Sequence, residues 1–285
     1  MTLEANRLRR AFDRSAIQAG EPMALAREVA ARLLDRLELL RLAPRDILDL
    51  GAGSGVGMEG LRARFPASRI LMLDFSLGQL RNAPGRPRSW WRFGAPVKRH
   101  AVCATAEQLP FAARSMGLVW SNLMLPLCPL DPVLKEIHRT LAPEGLFLFS
   151  TLGPDTLQEL KSVFARQPDG FDHLPDFADM HDVGDALVQH GFADPVMERE
   201  NLTVTYPTLE VLMRDLRQLG GANGMEGRRR SLAGRRRWQS LATEYDRLRQ
   251  AGLLPATFEI VYGHAWKPAP RTMPDGRPVI QVRPA

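Results

Sequence analysis

The run Ile47-Leu48-Asp49-Leu50-Gly51-Ala52-Gly53-Ser54-Gly55 constrains the fold more than any other stretch of this chain. A short apolar segment breaks into glycines at alternate positions, and helix-forming sequence follows to about Phe65, so the stretch reads as strand, tight turn and helix. Glycine lets backbone amides and a helix N-terminus come close to a ligand. A second apolar run, Arg69-Ile70-Leu71-Met72-Leu73, stops at Asp74, and Ser76 stands where it can cap the next helix. An acid about 20 residues past such a turn can accept hydrogen bonds from ribose hydroxyls. The unit is βαβ. Its glycine spacing is GxGxG, which puts the third glycine out of place for a nicotinamide dinucleotide, and a plain tight turn is the competing reading.

The rest of the chain continues the alternation. Leu25, Val29, Leu33, Leu34, Leu37 and Leu40 recur with a helical period and predict an amphipathic helix over 23–41, ended by Pro44. Strands are predicted at 97–102, 117–121 and 145–151, with a helix at 131–141. Helices at 155–166 and 180–190, an alternating strand at 196–206, helices at 209–219 and 238–250 and a last strand at 257–266 follow. Strands alternating with helices predict a parallel sheet covered by helices on both faces. Residues 82–93, which include Trp90 and Trp91, are expected to form an irregular surface loop. Residues 267–285, with Pro268, Pro270, Pro274, Pro278 and Pro284, are expected to be flexible.

With 45% hydrophobic and 25% charged side chains in 285 residues, the chain can bury a sizeable core, which excludes disorder throughout. No stretch reaches the ~20 apolar residues of a membrane span, and residues 1–12 are too charged for a secretory signal, so a cytoplasmic location is expected. Cys103 and Cys128 are too few for a disulfide framework or a thiolate zinc site. They are expected to be inert buried thiols, and no metal is expected. The formal net charge is +6, and six arginines crowd between Arg228 and Arg237: Arg228, Arg229, Arg230, Arg235, Arg236 and Arg237. That run is either a solvated helix face or a patch for an acidic protein. It lacks interleaved aromatics and a nucleic-acid motif, so nucleic acid is not the expected partner.

ILDLGAGSG, with Asp74 in register, resembles the first motif of class I S-adenosylmethionine methyltransferases, whose fold is an α/β, Rossmann-like seven-stranded sheet. The resemblance implies that Gly51, Gly53 and Gly55, preceded by Asp49, face the methionine part of S-adenosylmethionine. It implies that Asp74, followed by Phe75, holds the ribose, and it adds Thr105, Ala106, Glu107 and Asn122 to the cofactor set. Longer blocks are similar to the malonyl-[acyl-carrier protein] O-methyltransferases of biotin synthesis: RRAFDR at 9–14, AEQLPF at 106–111, SNL at 121–123, FSTLGPDTLQEL at 149–160, DMHDVGDAL at 179–187 and LPATFEIVYGHAW at 254–266. A family with weaker forms of these blocks is the arginine hydroxylase of complex I assembly. The main resemblance implies methyl transfer to the free carboxyl of malonyl-loaded acyl carrier protein. It divides the chain into a helical lead-in at 1–44 that covers the cofactor, a methyltransferase domain at 45–266 with lid insertions around 154–195 and 207–252, and the tail. A protein-modifying enzyme like the hydroxylase and a non-catalytic paralogue are the alternatives. The chain departs from the family pattern at Ala19-Gly20, Thr105, Gly117 and Pro126-Leu127, where members usually carry Tyr-Asp, Asp, Asp and Gln-Trp.

Methylating a carboxylate needs no general base, because the nucleophile is already ionised at neutral pH. The protein has to align the reacting atoms and exclude water. Arg214 and Arg217, three apart on one helix face, are expected to hold the substrate carboxylate, unless they are plain surface charge. His181, beside Asp182, is a candidate for acid–base work, with helix capping or a lid hydrogen bond as the structural reading. Asn122 falls just past the fourth strand, at the sheet edge where open α/β folds bind ligands, and otherwise serves as a turn former.

Overall fold

The computed structural model describes residues 4–18, 24–83, 100–166, 170–171, 173–218, 227 and 234–270. Helices α1 (Ala5–Gln18) and α2 (Ala24–Glu38) precede β1 (Asp46–Leu50), α3 (Met58–Arg64), β2 (Arg69–Asp74), α4 (Leu77–Asn82) and β3 (His100–Cys103). Then come β4 (Met116–Asn122), α5 (Leu130–Thr140), β5 (Leu141–Leu152), α6 (Gln158–Ala165), α7 (Met180–Gln189), β6 (Ala193–Tyr206), α8 (Leu209–Gln218), α9 (Arg235–Asp246) and β7 (Leu254–Trp266). The strands form one seven-stranded sheet in the order β3-β2-β1-β4-β5-β7-β6.

The expectation of an all-parallel sheet is corrected at one strand. β7 lies between β5 and β6 and runs antiparallel to both. Among the described residues, α8 and α9 lie between β6 and β7. Leu254, at the start of β7, pairs with Tyr206, at the end of β6. The predicted helix at 238–250 is also shifted: α9 already begins at Arg235, and the chain turns after Asp246. Arg235, Arg236 and Arg237 thus form its first turn. Arg228, Arg229 and Arg230, the loop with Trp90 and Trp91, the Ala19-Gly20 pair and most of the proline-rich tail lie outside the described residues. Lys267, the first residue of that tail, is anchored: its ammonium donates to the carbonyls of His138 and Leu141 at 2.6 and 2.7 Å.

Two apolar cores flank the sheet. One joins α2, α3, α6, α8 and α9 to Ile47, Met72, Leu118, Trp120, Leu148, Phe258 and Tyr262. The other joins α5 and α7 to Leu48, Leu50, Leu73, Val119, Phe147 and Phe149. Alternate residues of β1 point to opposite cores, so the whole strand is buried, as a central strand covered on both faces must be. In α2 the predicted stripe is the buried one, with Leu25, Val29, Leu33 and Leu37 inside, each contributing about 1.5–3 kcal/mol. On its other side Arg32 and Arg36 pair with Glu200 and Glu198 of β6, and the Arg36 guanidinium stacks 3.7 Å from the Tyr262 ring centre. Gly117, where the related family usually has Asp, has a local cause. A Cβ there would lie 2.9 Å from Pro44 Cβ and 3.1 Å from its Cα, so Pro44, two residues before β1, already fills the space.

Two blocks quoted from the sequence interlock. Leu157 N–H donates to the Thr257 carbonyl at 2.6 Å, and Thr257 N–H donates back to Glu159 at 3.0 Å. Asp155 N–H donates at 2.7 Å to Glu259, a carboxylate 2% exposed. The TLGPDTLQEL turn is thereby fixed on β7, which sets where α6 leaves the sheet.

Candidate functional site

The carboxyl ends of β1, β2 and β4 converge on the glycine turn. Gly51, Gly53 and Gly55 all have positive φ, at 73°, 52° and 82°, a region that side chains other than glycine seldom enter. A Cβ on Gly51 would lie 2.3 Å from Met124 Cγ, whereas a Cβ on Gly53 would meet nothing within 4 Å. The turn is thus packed from below and open above. Gly51 and Ala52 N–H both donate to the Leu73 carbonyl, at 2.8 and 3.0 Å, tying the loop to β2.

Asp74 stands beside it, 6% exposed. Its Oδ2 accepts from Gly53 N–H at 2.9 Å and its Oδ1 from Ser76 N–H at 2.7 Å. Each oxygen keeps a lone pair for a ligand hydroxyl. Burial pushes its pKa up, while those two N–H groups pull it back. Asp49, 3% exposed, has no such support, and its Oδ2 is buried without a partner. Burial, and then the charge of Asp74, push it up to about 7. Its register neighbour on β4, Trp120, carries an equally unpartnered buried indole N–H. Two buried acids with open acceptors suit a cationic ligand that also carries hydroxyls. S-adenosylmethionine, with a sulfonium, an ammonium and a ribose diol, has that chemistry, so the residues fit the group.

The remaining expected residues divide. Phe75 is half-buried, with the Phe12 ring edge-on at 5.3 Å. Thr105 is exposed, Ala106 buried and Glu107 half-buried, in a loop held by α5. There Glu136 accepts from Leu109 N–H at 2.8 Å, and Arg139 donates to the carbonyls of Leu109 and Phe111, each at 2.8 Å. The amide of Asn122 is engaged at both ends: Nδ2 donates to the Ala26 carbonyl at 3.0 Å, and Oδ1 accepts from Ser150 at 2.8 Å. It fastens α2 across the sheet edge. His181 and Asp182 are exposed in the first turn of α7; the cap there is Asp179, which accepts from His181 N–H at 2.8 Å. Arg214 and Arg217 are exposed on α8, whose Leu209, Leu212 and Leu216 are buried in the other core. The structure therefore brings Asp49, the three glycines, Asp74 and Phe75 together and places His181 and the two arginines on helices at opposite sheet faces.

The expectation of two buried thiols is corrected. Cys103 is exposed at the end of β3, which is the edge strand among the described residues. Cys128 is half-buried, with its thiol pushed up to about 12 by burial. Ser76 caps α4 as predicted, accepting from Gln79 N–H at 3.2 Å. Sequence reasoning gave no role to Asp13, Glu136 or Glu259. Each acts on a partner 27 or more residues away, and only Asp13 and Glu259 lie in blocks that marked them for attention.

A glycine turn with positive φ, an acid at the end of β2 and a sheet with β7 reversed define a class I S-adenosylmethionine-dependent methyltransferase fold. Residues 48–149 match the family model described as "Methyltransferase domain". The chain is 45% identical over 283 residues to a malonyl-[acyl-carrier protein] O-methyltransferase of Gallionella capsiferriformans, covering 98% of this chain and 97% of that one. A protein of the same name from Laribacter hongkongensis is 46% identical over 287 residues, covering 99% and 96%. Among solved structures, the YcgJ protein of Bacillus subtilis superposes with a TM-score of 0.58 at 15% identity, covering 85% of this chain and 98% of that one. The chain belongs to the malonyl-[acyl-carrier protein] O-methyltransferase family.

Proposed function

We propose that this enzyme transfers a methyl group from S-adenosylmethionine to the free carboxyl of malonyl-loaded acyl carrier protein, giving the methyl ester that enters biotin synthesis. The observation that carries the reading is where the likeness falls. The general methyltransferase match ends at residue 149, yet the identity to the named relatives runs over 98% of the chain. It therefore includes α6 to β7, which the general methyltransferase model does not reach.

Bound there, the cofactor would supply an electrophilic methyl on a sulfonium: a carboxylate oxygen would take that methyl, forming the ester O–C bond as the methyl–sulfur bond breaks, with S-adenosylhomocysteine as the leaving group. Asp74 accepts the ribose hydroxyls, Asp49 meets the cationic end, and the open face of Gly53 admits the ligand. Arg214 and Arg217 orient the acceptor carboxylate through charge-assisted hydrogen bonds, which needs no proton transfer. The insertions around 154–195 and 207–252 contribute the acceptor side, their described helices α6, α8 and α9 on one sheet face and α7 on the other, and α1 and α2 cover the cofactor. Arg235, Arg236 and Arg237, with the three arginines before them in sequence, give an acidic carrier protein a complementary field. Both proteins meet in the cytoplasm.

The test is mass spectrometry of malonyl-acyl carrier protein incubated with enzyme and S-adenosylmethionine. A gain of one methyl group, removed again by mild ester hydrolysis, is expected. Cofactor binding without that gain would instead support a protein-side-chain acceptor, and no cofactor binding would support a non-catalytic paralogue.

A further inference from the structure

Asp13 has no part in the site as described, yet it touches the turn that carries the ribose acid. Its Oδ1 accepts from the Ser76 hydroxyl at 2.6 Å and from Gly78 N–H at 3.0 Å. Ser76 in turn donates its backbone N–H to Asp74 at 2.7 Å. One serine thus links the N-terminal helix to the carboxylate that faces the ribose. Further contacts run alongside. The Gln79 side-chain amide donates to Ser15 Oγ at 3.2 Å and to the Phe12 carbonyl at 3.4 Å, and Asn82 donates to the Ala16 carbonyl. Phe12 packs on Phe75, the residue after the acid. Asp13 is held below the ordinary carboxylate range, foremost by the Ser76 hydroxyl, so it stays an acceptor at neutral pH.

The close approach depends on a glycine. A Cβ on Gly78 would lie 3.0 Å from Asp13 Oδ1, 3.1 Å from its Cα and 3.2 Å from its carbonyl oxygen. Helices α1 and α4 meet closely at that point, and a larger residue would have to press the α1 backbone aside by a few tenths of an ångström. The segments are 65 residues apart in sequence, so closing this contact costs loop entropy that the hydrogen bonds and the Phe12–Phe75 packing offset.

We propose that Asp13 is a positioning residue for the cofactor: its carboxylate latches α1 onto the Ser76–Gly78 turn and so sets Asp74 and Phe75 for the ribose. The inference rests on the cofactor of the class and not on the acyl acceptor proposed above. A failure of either can therefore be told from a failure of the other.

The test uses the full chain, calorimetric titration with S-adenosylmethionine, and limited trypsin digestion of the ligand-free protein. Asp13→Ala is expected to weaken cofactor binding about tenfold and to speed cleavage at Arg9, Arg10 and Arg14. Asp13→Asn keeps an acceptor oxygen and should stay within about threefold of wild type. Gly78→Ala provides a second route, because it pushes α1 away without altering a ligand-facing group and puts a better helix former into α4. It should reproduce both effects, and the Asp13→Ala/Gly78→Ala double variant should be no weaker than either single change. Unchanged affinity in Asp13→Ala and Gly78→Ala, or weaker binding with no change in α1 cleavage, would overturn the proposal. So would an equal loss in Asp13→Asn and Asp13→Ala, which would show that charge and not the latch geometry matters.

Discussion

Asp49→Asn isolates the electrostatic cost that the site carries when no ligand neutralises it. A carboxyl whose pKa rises from 3.8 to about 7 on folding binds more protons folded than unfolded between those values. Stability contributed by the protonated form is therefore complete below about pH 4 and lost as pH rises towards 7. Each tenfold step in proton affinity is about 1.4 kcal/mol, which sets a full penalty of about 4 kcal/mol above neutrality. Asparagine cannot ionise and escapes this term, but it brings its own buried amide. A single comparison would mix the two effects. The clean quantity is the change in the mutant's advantage between about pH 5 and about pH 8, because the amide contribution cancels. Over that interval the wild-type penalty grows by about 2–3 kcal/mol, so the melting temperature of Asp49→Asn should gain about 5 °C on wild type. The assay is thermal unfolding of the ligand-free protein at both pH values, with guanidinium midpoints as a check. Calorimetric titration with S-adenosylmethionine in buffers of different ionisation enthalpy should also show proton release near neutrality in wild type and none in the variant. Parallel stability profiles for the two proteins would refute the reasoning, since they would mean that Asp49 ionises in the fold as easily as in the unfolded chain.

Asp74→Ala should cost about 1.5–3 kcal/mol in S-adenosylmethionine affinity, read by calorimetry; unchanged binding in a folded variant would remove Asp74 from the ribose site. Reversing Arg235, Arg236 and Arg237 to Glu should raise KM for the malonyl carrier protein, and the effect should shrink above physiological salt, where the Debye length is below ~8 Å. Turnover of a small malonyl thioester should hardly change, and equal losses on both substrates would give the run a structural role instead. Gly117→Ala should lower stability by about 1–3 kcal/mol through the clash with Pro44, measured as a lower denaturation midpoint; no loss would mean that Pro44 yields without cost.

Much of the fold was legible because its signals are local. The β1 turn, the Asp74 terminus of β2, the Ser76 cap and the α2 stripe depend on neighbours within a few positions. The reversal of β7 was not legible, since a strand's periodicity is the same in either direction. Burial at a sheet edge was also hidden: Cys103 lies in an apolar run, yet among the described residues β3 pairs with β2 alone. In the candidate site, spacing pointed to the acid and the glycines that the structure places side by side. Position pointed to Asn122 but not to its partners, Ala26 and Ser150, because hydrogen bonds between distant segments leave no periodic mark. The latch at Asp13 and the carboxylate of Glu259 belong to the same class, visible as quoted blocks but silent about what they touch.

The unpartnered polar atoms show where stability has been given up. Among the described residues, Asp49 Oδ2, Trp120 Nε1 and Ser121 Oγ are buried without hydrogen bonds, and all three stand at the carboxyl ends of β1 and β4. Two more, the hydroxyls of Tyr206 and Tyr262, lie apart on β6 and β7, whereas Glu259, Thr257 and Asp74 are elaborately paired. An unmade buried hydrogen bond costs about 1–3 kcal/mol, so three gathered at one sheet edge mark a place that a ligand completes. Gly57 adds to this, since a Cβ there would press within 3.0 Å of the Trp120 indole nitrogen. The acids and the indole N–H offer acceptors and a donor around one sheet edge. A ligand that carries positive charge, hydroxyls and a carboxylate answers each of them. The unliganded site is thus less stable than a filled one, and the energy recovered on filling it contributes to cofactor affinity.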